Sequence, residues 1–447
     1  MNILRFKKLL YCWSRVVFKN RAVSALAAFL AKIRILRPTN RYFNLLINNS
    51  DYQAQSPVAK SLPISACLNV TNICNYRCEF CEIHYLYQYA KEKAGMVFSN
   101  HLTLEDLRNY DEWLKNIFNL ELSGASGEPF ANPEFVHMVR YLKQKYPHLI
   151  LTATTNGSLI KPEDVDALVE AKFDRLLFSV HGGDAQTYRM LQGGDLDKIL
   201  SVIKKFIEVK KQKKSRYPLL SINFALNKLN ANSIFGLIDA LSGLDMEFLY
   251  LQHYYDARNA LKEKYPAKEI SYYFDVEAGN KLMEKIYTYA AKKHVRLYPA
   301  KPLFLNQAGL GEIESDVCAP SRVCLEPWRS IKIKGCVEKM DTVYLGVCNR
   351  ALLFRLNYKE FFANDGKFED IWNHPLLQFL RSQVGHNPLC DFCLNKENNS
   401  VRCLNYVEYG TRRDKAILDF FAKYKKVNPY VKEIPGLEVL DHHPYAI

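Results

Sequence analysis

A chain of 447 residues has room for more than one core, and 48% hydrophobic with 24% charged residues is the balance of a folded globular protein, not a disordered one. The net charge is +14, yet residues 1–50 supply +10 of it from ten Lys or Arg and no acid, leaving +4 for the other 397 residues. Basic charge confined to one end argues against nucleic acid as a partner.

In chain order, the first expected elements are two basic amphipathic helices, about Ile3–Lys19 and Arg21–Arg34, stopped at Pro38. The first sets Leu9, Trp13 and Val16 beside Lys8, Arg15 and Lys19. The apolar run Ala22–Ala31 is ten residues long, too short to span a bilayer. Such helices can lie on an anionic membrane surface through residues 1–35, bind an acidic partner, or pack on the rest of the protein.

Six strand-like runs follow: 66–71, 118–122, 149–154, 175–180, 219–225 and 247–251. Between them, segments such as Pro133–Lys145 and Pro162–Ala171 carry helical apolar spacing and are long enough for crossovers. Alternating strands and helices predict a parallel α/β sheet. The run 210–217 is rich in lysine and reads as a solvated helix end.

Polar motifs stand at the strand ends. The first is Cys74-Asn-Tyr-Arg-Cys78-Glu-Phe80-Cys81, with spacing C-x3-C-x2-C. Three thiolates on one loop can hold three irons of a cubic 4Fe–4S cluster, which usually takes four cysteines, so one iron stays open to another ligand. Zinc sites favour four ligands in paired C-x2-C units, which this loop lacks. After the second strand comes Ser123-Gly-Ala-Ser126-Gly127-Glu128-Pro129, and after the third Thr154-Thr155-Asn156-Gly157. The fourth ends in Ser179-Val-His181-Gly182 and the sixth in Gln252-His253-Tyr254-Tyr255. Each could also be an ordinary turn or a satisfied polar group.

The cysteine loop closely resembles that of the radical S-adenosylmethionine (SAM) superfamily. The resemblance implies that Cys74, Cys78 and Cys81 hold a 4Fe–4S cluster whose open iron chelates SAM. It implies that Phe80 packs near the adenine, and that Ser126, Gly127 and Glu128 stand for the motif that holds the SAM amino group. Thr155 and Asn156 fall near the ribose and Ser179 near SAM. His181 departs from the usual aspartate and reads more readily as a satisfied polar group than as a substrate contact. The fold implied is a partial (β/α)6 TIM-like barrel, with the chemistry at the C-terminal ends of the strands.

The C-terminal part carries a second cysteine set: Cys318, Cys324, Cys336, Cys348, Cys390, Cys393 and Cys403 within 86 residues, whereas residues 82–317 contain none. The order Cys324-Leu-Glu-Pro327-Trp328, Phe368-Glu-Asp-Ile-Trp372-Asn373, Leu380-Arg381 and Cys390-Asp-Phe-Cys393 resembles the SPASM/twitch extension of radical SAM enzymes. That implies one auxiliary 4Fe–4S cluster on Cys324, Cys348, Cys390 and Cys393. Cys336 could replace Cys348. A two-cluster arrangement drawing on Cys318 and Cys403 stays open, and so does a zinc ribbon on the same thiols.

The expected organisation is thus a basic helical segment (1–60), a radical SAM core (61–300), an α+β SPASM/twitch-like domain (301–425) and a tail (426–447). The expected function is reductive cleavage of SAM and removal of a hydrogen atom from a substrate carbon, with the auxiliary cluster accepting an electron or ligating the substrate. A flavodoxin or ferredoxin would serve as electron donor. The short N-terminal segment favours a small-molecule, glycan or lipid-linked substrate over a ribosomal peptide. A non-catalytic iron–sulfur or zinc scaffold is the reading of another class. Cluster-type cysteine spacing without a signal peptide points to a reducing cytoplasm, with contact at the inner membrane surface through the basic end.

Overall fold

Runs of apolar residues ending in polar tips become strands because alternate side chains can be buried under helices. They are β1 (Ser65–Leu68), β2 (Asn119–Glu121), β3 (Ile150–Thr155), β4 (Arg175–Ser179), β5 (Leu219–Leu226), β6 (Phe248–His253) and β7 (Leu297–Tyr298). Burial alternates residue by residue along β3, β4 and β6, so one face packs under helices and the other is half-open. The helices answer with apolar stripes. Phe135–Lys145 buries Leu142, Pro162–Glu170 buries Leu168, and Leu196–Gln212 buries Phe206. Their ends are marked locally: Pro162 opens one, the Asp195 side chain caps another, and Gly193, at φ 73°, closes Ala185–Gln192.

The computed structural model describes residues 41–79, 81, 101–123, 127–253, 267–272, 275–300, 324, 326–334, 342–347, 353–384, 386, 389, 406–428, 433–435 and 437–440. Both expected N-terminal helices, Phe80, Ser126, and Cys318, Cys336, Cys348, Cys390, Cys393 and Cys403 lie outside these residues.

All the described strands join one sheet of eleven, in the order β11-β10-β9-β8-β1-β2-β3-β4-β5-β6-β7. From β8 across to β7 neighbours run parallel, which gives an α/β fold with a mostly parallel sheet. The six expected strands are present, and the sheet continues past them at both sides. β8 (Ser330–Lys334) lies against β1 with Ser65 opposite Ser330 and Leu68 opposite Ile333. β9 (Thr342–Gly346), β10 (Phe354–Asn357) and β11 (Leu437–Val439) then follow antiparallel. The C-terminal elements therefore extend the same sheet whose β1 leads into the cysteine loop.

A buried junction fastens these C-terminal elements. Trp328, Trp372 and Arg381 are among the largest fully buried side chains. Trp328 Nε1 donates to Ser56 O at 2.9 Å, and Trp372 Nε1 to Ser61 O at 2.9 Å. The Arg381 guanidinium lies 4.6 Å from the Trp372 ring centre, with Nε donating to Pro327 O at 3.0 Å and Nη1 to Pro57 O at 3.3 Å. Asn373 closes the set, donating to Ala59 O at 2.8 Å and accepting from Ala59 N at 2.9 Å.

Candidate active site

Of the residues singled out in the sequence, Cys74, Cys78, Cys81, Gly127, Glu128, Thr155, Asn156 and Ser179 lie at or just beyond the C-terminal tips of β1, β2, β3 and β4. Thr71 closes the extension of β1, bridging to His101, and its Oγ1 accepts from Ile73 N at 3.0 Å to turn the chain into the cysteine loop. Cys81 N donates to Cys78 O at 3.1 Å, a tight turn that puts these two cysteines side by side. Glu79 N donates to Leu191 O at 2.8 Å, pinning the loop's far end to helix Ala185–Gln192.

Glu128 ties the loops together. Its N–H donates to Ile73 O at 2.7 Å. Its buried carboxylate accepts from Thr155 Oγ1 at 2.5 Å, Asn156 N at 2.7 Å and Phe130 N at 3.3 Å. The tip of β3 is thereby locked to the loop after β2 and to the root of the cysteine loop. In the sequence Glu128 reads as an acceptor for an ammonium group; the three donors found on it belong to the protein. Gly127 has φ +81°, and a Cβ there would run into the Thr71 carbonyl. Glycine is needed at this position for loop-on-loop packing, whatever ligand it also faces.

Asn156 is the bridge to the thiols. Its Nδ2 reaches Cys74 Sγ at 4.0 Å and donates to Asn75 Oδ1 at 3.0 Å, while its Oδ1 accepts from Ser158 Oγ at 2.7 Å. Asn75 Nδ2 donates in turn to Ser158 Oγ at 2.8 Å. Sequence reading passed over Asn75 and Ser158. Their signal was position: one directly follows Cys74, the other directly follows Asn156-Gly157. Gln192 was missed as well. Its amide accepts from His181 N at 2.6 Å and donates to Ser179 O at 3.0 Å, holding the half-buried end of β4. His181 is a satisfied side chain, its Nδ1 accepting from Ala225 N at 3.1 Å, and burial holds its pKa down at about 4.

Residues 68–223 match the radical SAM superfamily. That stretch carries a radical SAM domain, running from the end of β1 into β5. Among curated relatives, it is 28% identical over 143 residues to a probable GTP 3′,8-cyclase of Thermococcus kodakarensis, covering 32% of this chain and 43% of that one. It is 26% identical over 188 residues to a tungsten-containing aldehyde ferredoxin oxidoreductase cofactor-modifying protein of Pyrococcus furiosus, covering 42% and 50%. The matched stretches thus span half or less of those relatives. Its fold is similar to that of Streptococcus suis SuiB solved with S-adenosylmethionine, with a TM-score of 0.51, 18% identity and coverage of 80% and 77%. SuiB bound to its precursor peptide SuiA gives a TM-score of 0.50 over 77% and 72%.

The cofactors of a radical SAM protein are a 4Fe–4S cluster and SAM. The donor set fits the cluster chemically. Loss of water around Cys78 pushes its pKa up, and the neighbouring Cys81 and Cys74 push it further. Cys74 keeps an exposed edge, yet the protein atoms packed around its thiol raise its pKa to about 11. Three thiols that resist ionising together ionise readily once an iron's positive charge sits among them. Among the described residues, no three His, Cys, Asp or Glu side chains are gathered closely enough to hold an ion by themselves.

Glu128 gives this site a pH dependence. Burial outweighs its three donors and lifts its pKa from 4.5 to about 7. Between those values the folded chain keeps a proton that the unfolded chain has lost. The stability that Glu128 contributes is therefore greatest below pH 4.5, falls as pH rises to about 7, and is flat above, a loss of about 3 kcal/mol from this group. Urea unfolding of wild type and Glu128→Gln between pH 4 and 8 checks this, and equal slopes in the two would contradict it.

Proposed function

We propose that this protein is a radical SAM oxidoreductase or maturase that removes a hydrogen atom from an unactivated substrate carbon. The observation that carries the reading is the convergence of Cys74, Asn75, Glu128, Thr155 and Asn156 into one hydrogen-bonded unit at the strand tips. When bound, the reduced cluster supplies homolytic cleavage of SAM to methionine and a 5′-deoxyadenosyl radical. The chain's own residues do the rest. Cys74, Cys78 and Cys81 hold three irons, and Asn156 donates toward the first of these sulfurs. Glu128 and Thr155 set the rim of the SAM pocket, with Gly127 and Ser179 completing it; Ser126 and Phe80 are assigned to SAM from the motif alone. The partial-barrel shape is read from the family together with the half-open face of the sheet.

The C-terminal cysteines form a SPASM/twitch-like auxiliary site on this reading. Cys324 is half-buried, just before helix Glu326–Arg329. Its partners would be Cys348, Cys390 and Cys393. A structural zinc remains the competing occupant, distinguished by iron content. Replacing Cys390 and Cys393 together is expected to halve the bound iron and stop substrate turnover, while SAM cleavage without substrate stays measurable. Iron near four per chain in the wild type, with zinc on the C-terminal set, would make that site a folding clip instead.

We infer a small-molecule, glycan or lipid-linked substrate, with a ribosomal peptide as the second reading, favoured by the fold shared with SuiB. A flavodoxin- or ferredoxin-like donor would supply the electron. No helix among the described residues is long and apolar enough to cross a membrane. Contact of residues 1–35 with an anionic surface at the inner face of the membrane is tested by liposome binding of the full chain against a chain lacking them.

A further inference from the structure

The half-open face of β4, β5, β6 and β7 carries polar groups that nothing yet described uses. Ser221 and Asn223 stand two apart on β5, hence on the same face. Their register partners share that face: Ser179 beside Asn223 on β4, Phe248 beside Ser221 and Tyr250 beside Asn223 on β6. Tyr298 on β7 continues the Asn223–Tyr250 row. The other face of β5, with Leu220, Ile222 and Phe224 wholly buried, is the one that packs under helices.

Two features of this row ask for a ligand. Ser221 is fully buried and, among the described residues, its Oγ has no hydrogen-bond partner, nor has the buried Oδ1 of Asn223. Leaving such atoms unpaired costs about 1–3 kcal/mol each, so they call for a donor that the described residues do not supply. Beside them lies an aromatic shelf. Tyr250 and Tyr298 are stacked at 5.4 Å and 26°, and Phe248 joins Tyr298 at 5.3 Å and 36°. Tyr298 is 51% exposed, an aromatic left uncovered at the open end of the row. The nearby charges cancel, because Arg175 clasps Glu247 through two hydrogen bonds of 2.9 and 3.1 Å.

We propose that this face is a subsite for an uncharged, hydroxyl-bearing ring, a saccharide or cyclitol. The ring's apolar face would lie on Tyr250 and Tyr298. One of its hydroxyls would donate to Asn223 Oδ1, and another, directly or through a water, to Ser221 Oγ. Neutral acceptors select hydroxyl donors, and a flat aromatic shelf selects a ring with C–H bonds on one face. A charged group would meet no free countercharge in this row. The inference rests on the radical SAM reading and narrows its substrate class.

Saturation-transfer NMR on the full reconstituted chain with SAM tests it, using myo-inositol and methyl β-glucoside as probes and an acetylated, amidated Gly-Ser-Gly tripeptide as the alternative. Transfer to the ring protons of at least one polyol is expected. Asn223→Leu and Tyr298→Ala are each expected to weaken binding about tenfold. Two variants at separate strands guard against misfolding of either. Absence of transfer to both polyols, unchanged affinity in both variants, or a stronger signal from the tripeptide would overturn the subsite. Dithionite added to the same wild-type sample separates the two ideas. If 5′-deoxyadenosine forms without polyol contact, only the subsite fails. If none forms, the radical SAM reading fails.

Discussion

Replacing Cys74, Cys78 and Cys81 together with Ala is expected to bring 5′-deoxyadenosine formation down to the level of a protein-free control. The three thiols share one loop, held at Glu79 by Leu191 O and at its root by Glu128 and Ile73. The other described cysteines are Cys67, buried within β1, and Cys324, just before helix Glu326–Arg329. Fold loss is not the expected cause. Cys74 is exposed and the other two are half-buried, so truncating them opens no large core cavity. The triple variant should keep wild-type circular dichroism and retain iron on the C-terminal cysteines. Surviving SAM cleavage would remove the loop from the chemistry.

Arg381→Met is expected to cost about 3 kcal/mol, the largest loss of stability from any single change considered. Burial presses the Arg381 pKa down to about 10, with Asp51 acting against that shift, so the charge is held at a cost and repaid by hydrogen bonds. Met keeps the stacking bulk on Trp372 but strands the carbonyls of Pro327 and Pro57. Lys should rescue poorly, because its single ammonium cannot reproduce the guanidinium fork at both carbonyls. The urea midpoint measures the loss. A midpoint within experimental error of wild type in Arg381→Met would contradict the junction as described.

That junction also marks where sequence reading stops. Pro327, Trp328, Trp372, Asn373 and Arg381 were legible as an ordered motif, and the motif pointed to a cluster-binding module. Their visible work is to clamp the C-terminal elements to residues 56–61. No local pattern carries that information, since the partners lie up to 324 residues apart in sequence. The pairing of β8 with β1, sealed by Ser65 and Ser330 hydroxyls at 2.9 Å, was hidden for the same reason. The six expected strands were readable from their apolar runs, whereas β7, two residues long, offers no periodicity to read. At the site, Cys74, Glu128 and Asn156 were found from motif order alone. Their mutual hydrogen bonds, and the supporting Asn75, Ser158 and Gln192, depend on loops that meet only in three dimensions.

The central question is whether the loop of Cys74, Cys78 and Cys81 generates a radical from SAM. Anaerobic reconstitution of the full chain with iron and sulfide, followed by SAM and dithionite, reads this directly by chromatography of the products. The expected result is 5′-deoxyadenosine and methionine in equal amounts, both lost in the triple alanine variant. A protein that takes up iron and sulfide yet leaves SAM intact under those conditions would contradict it.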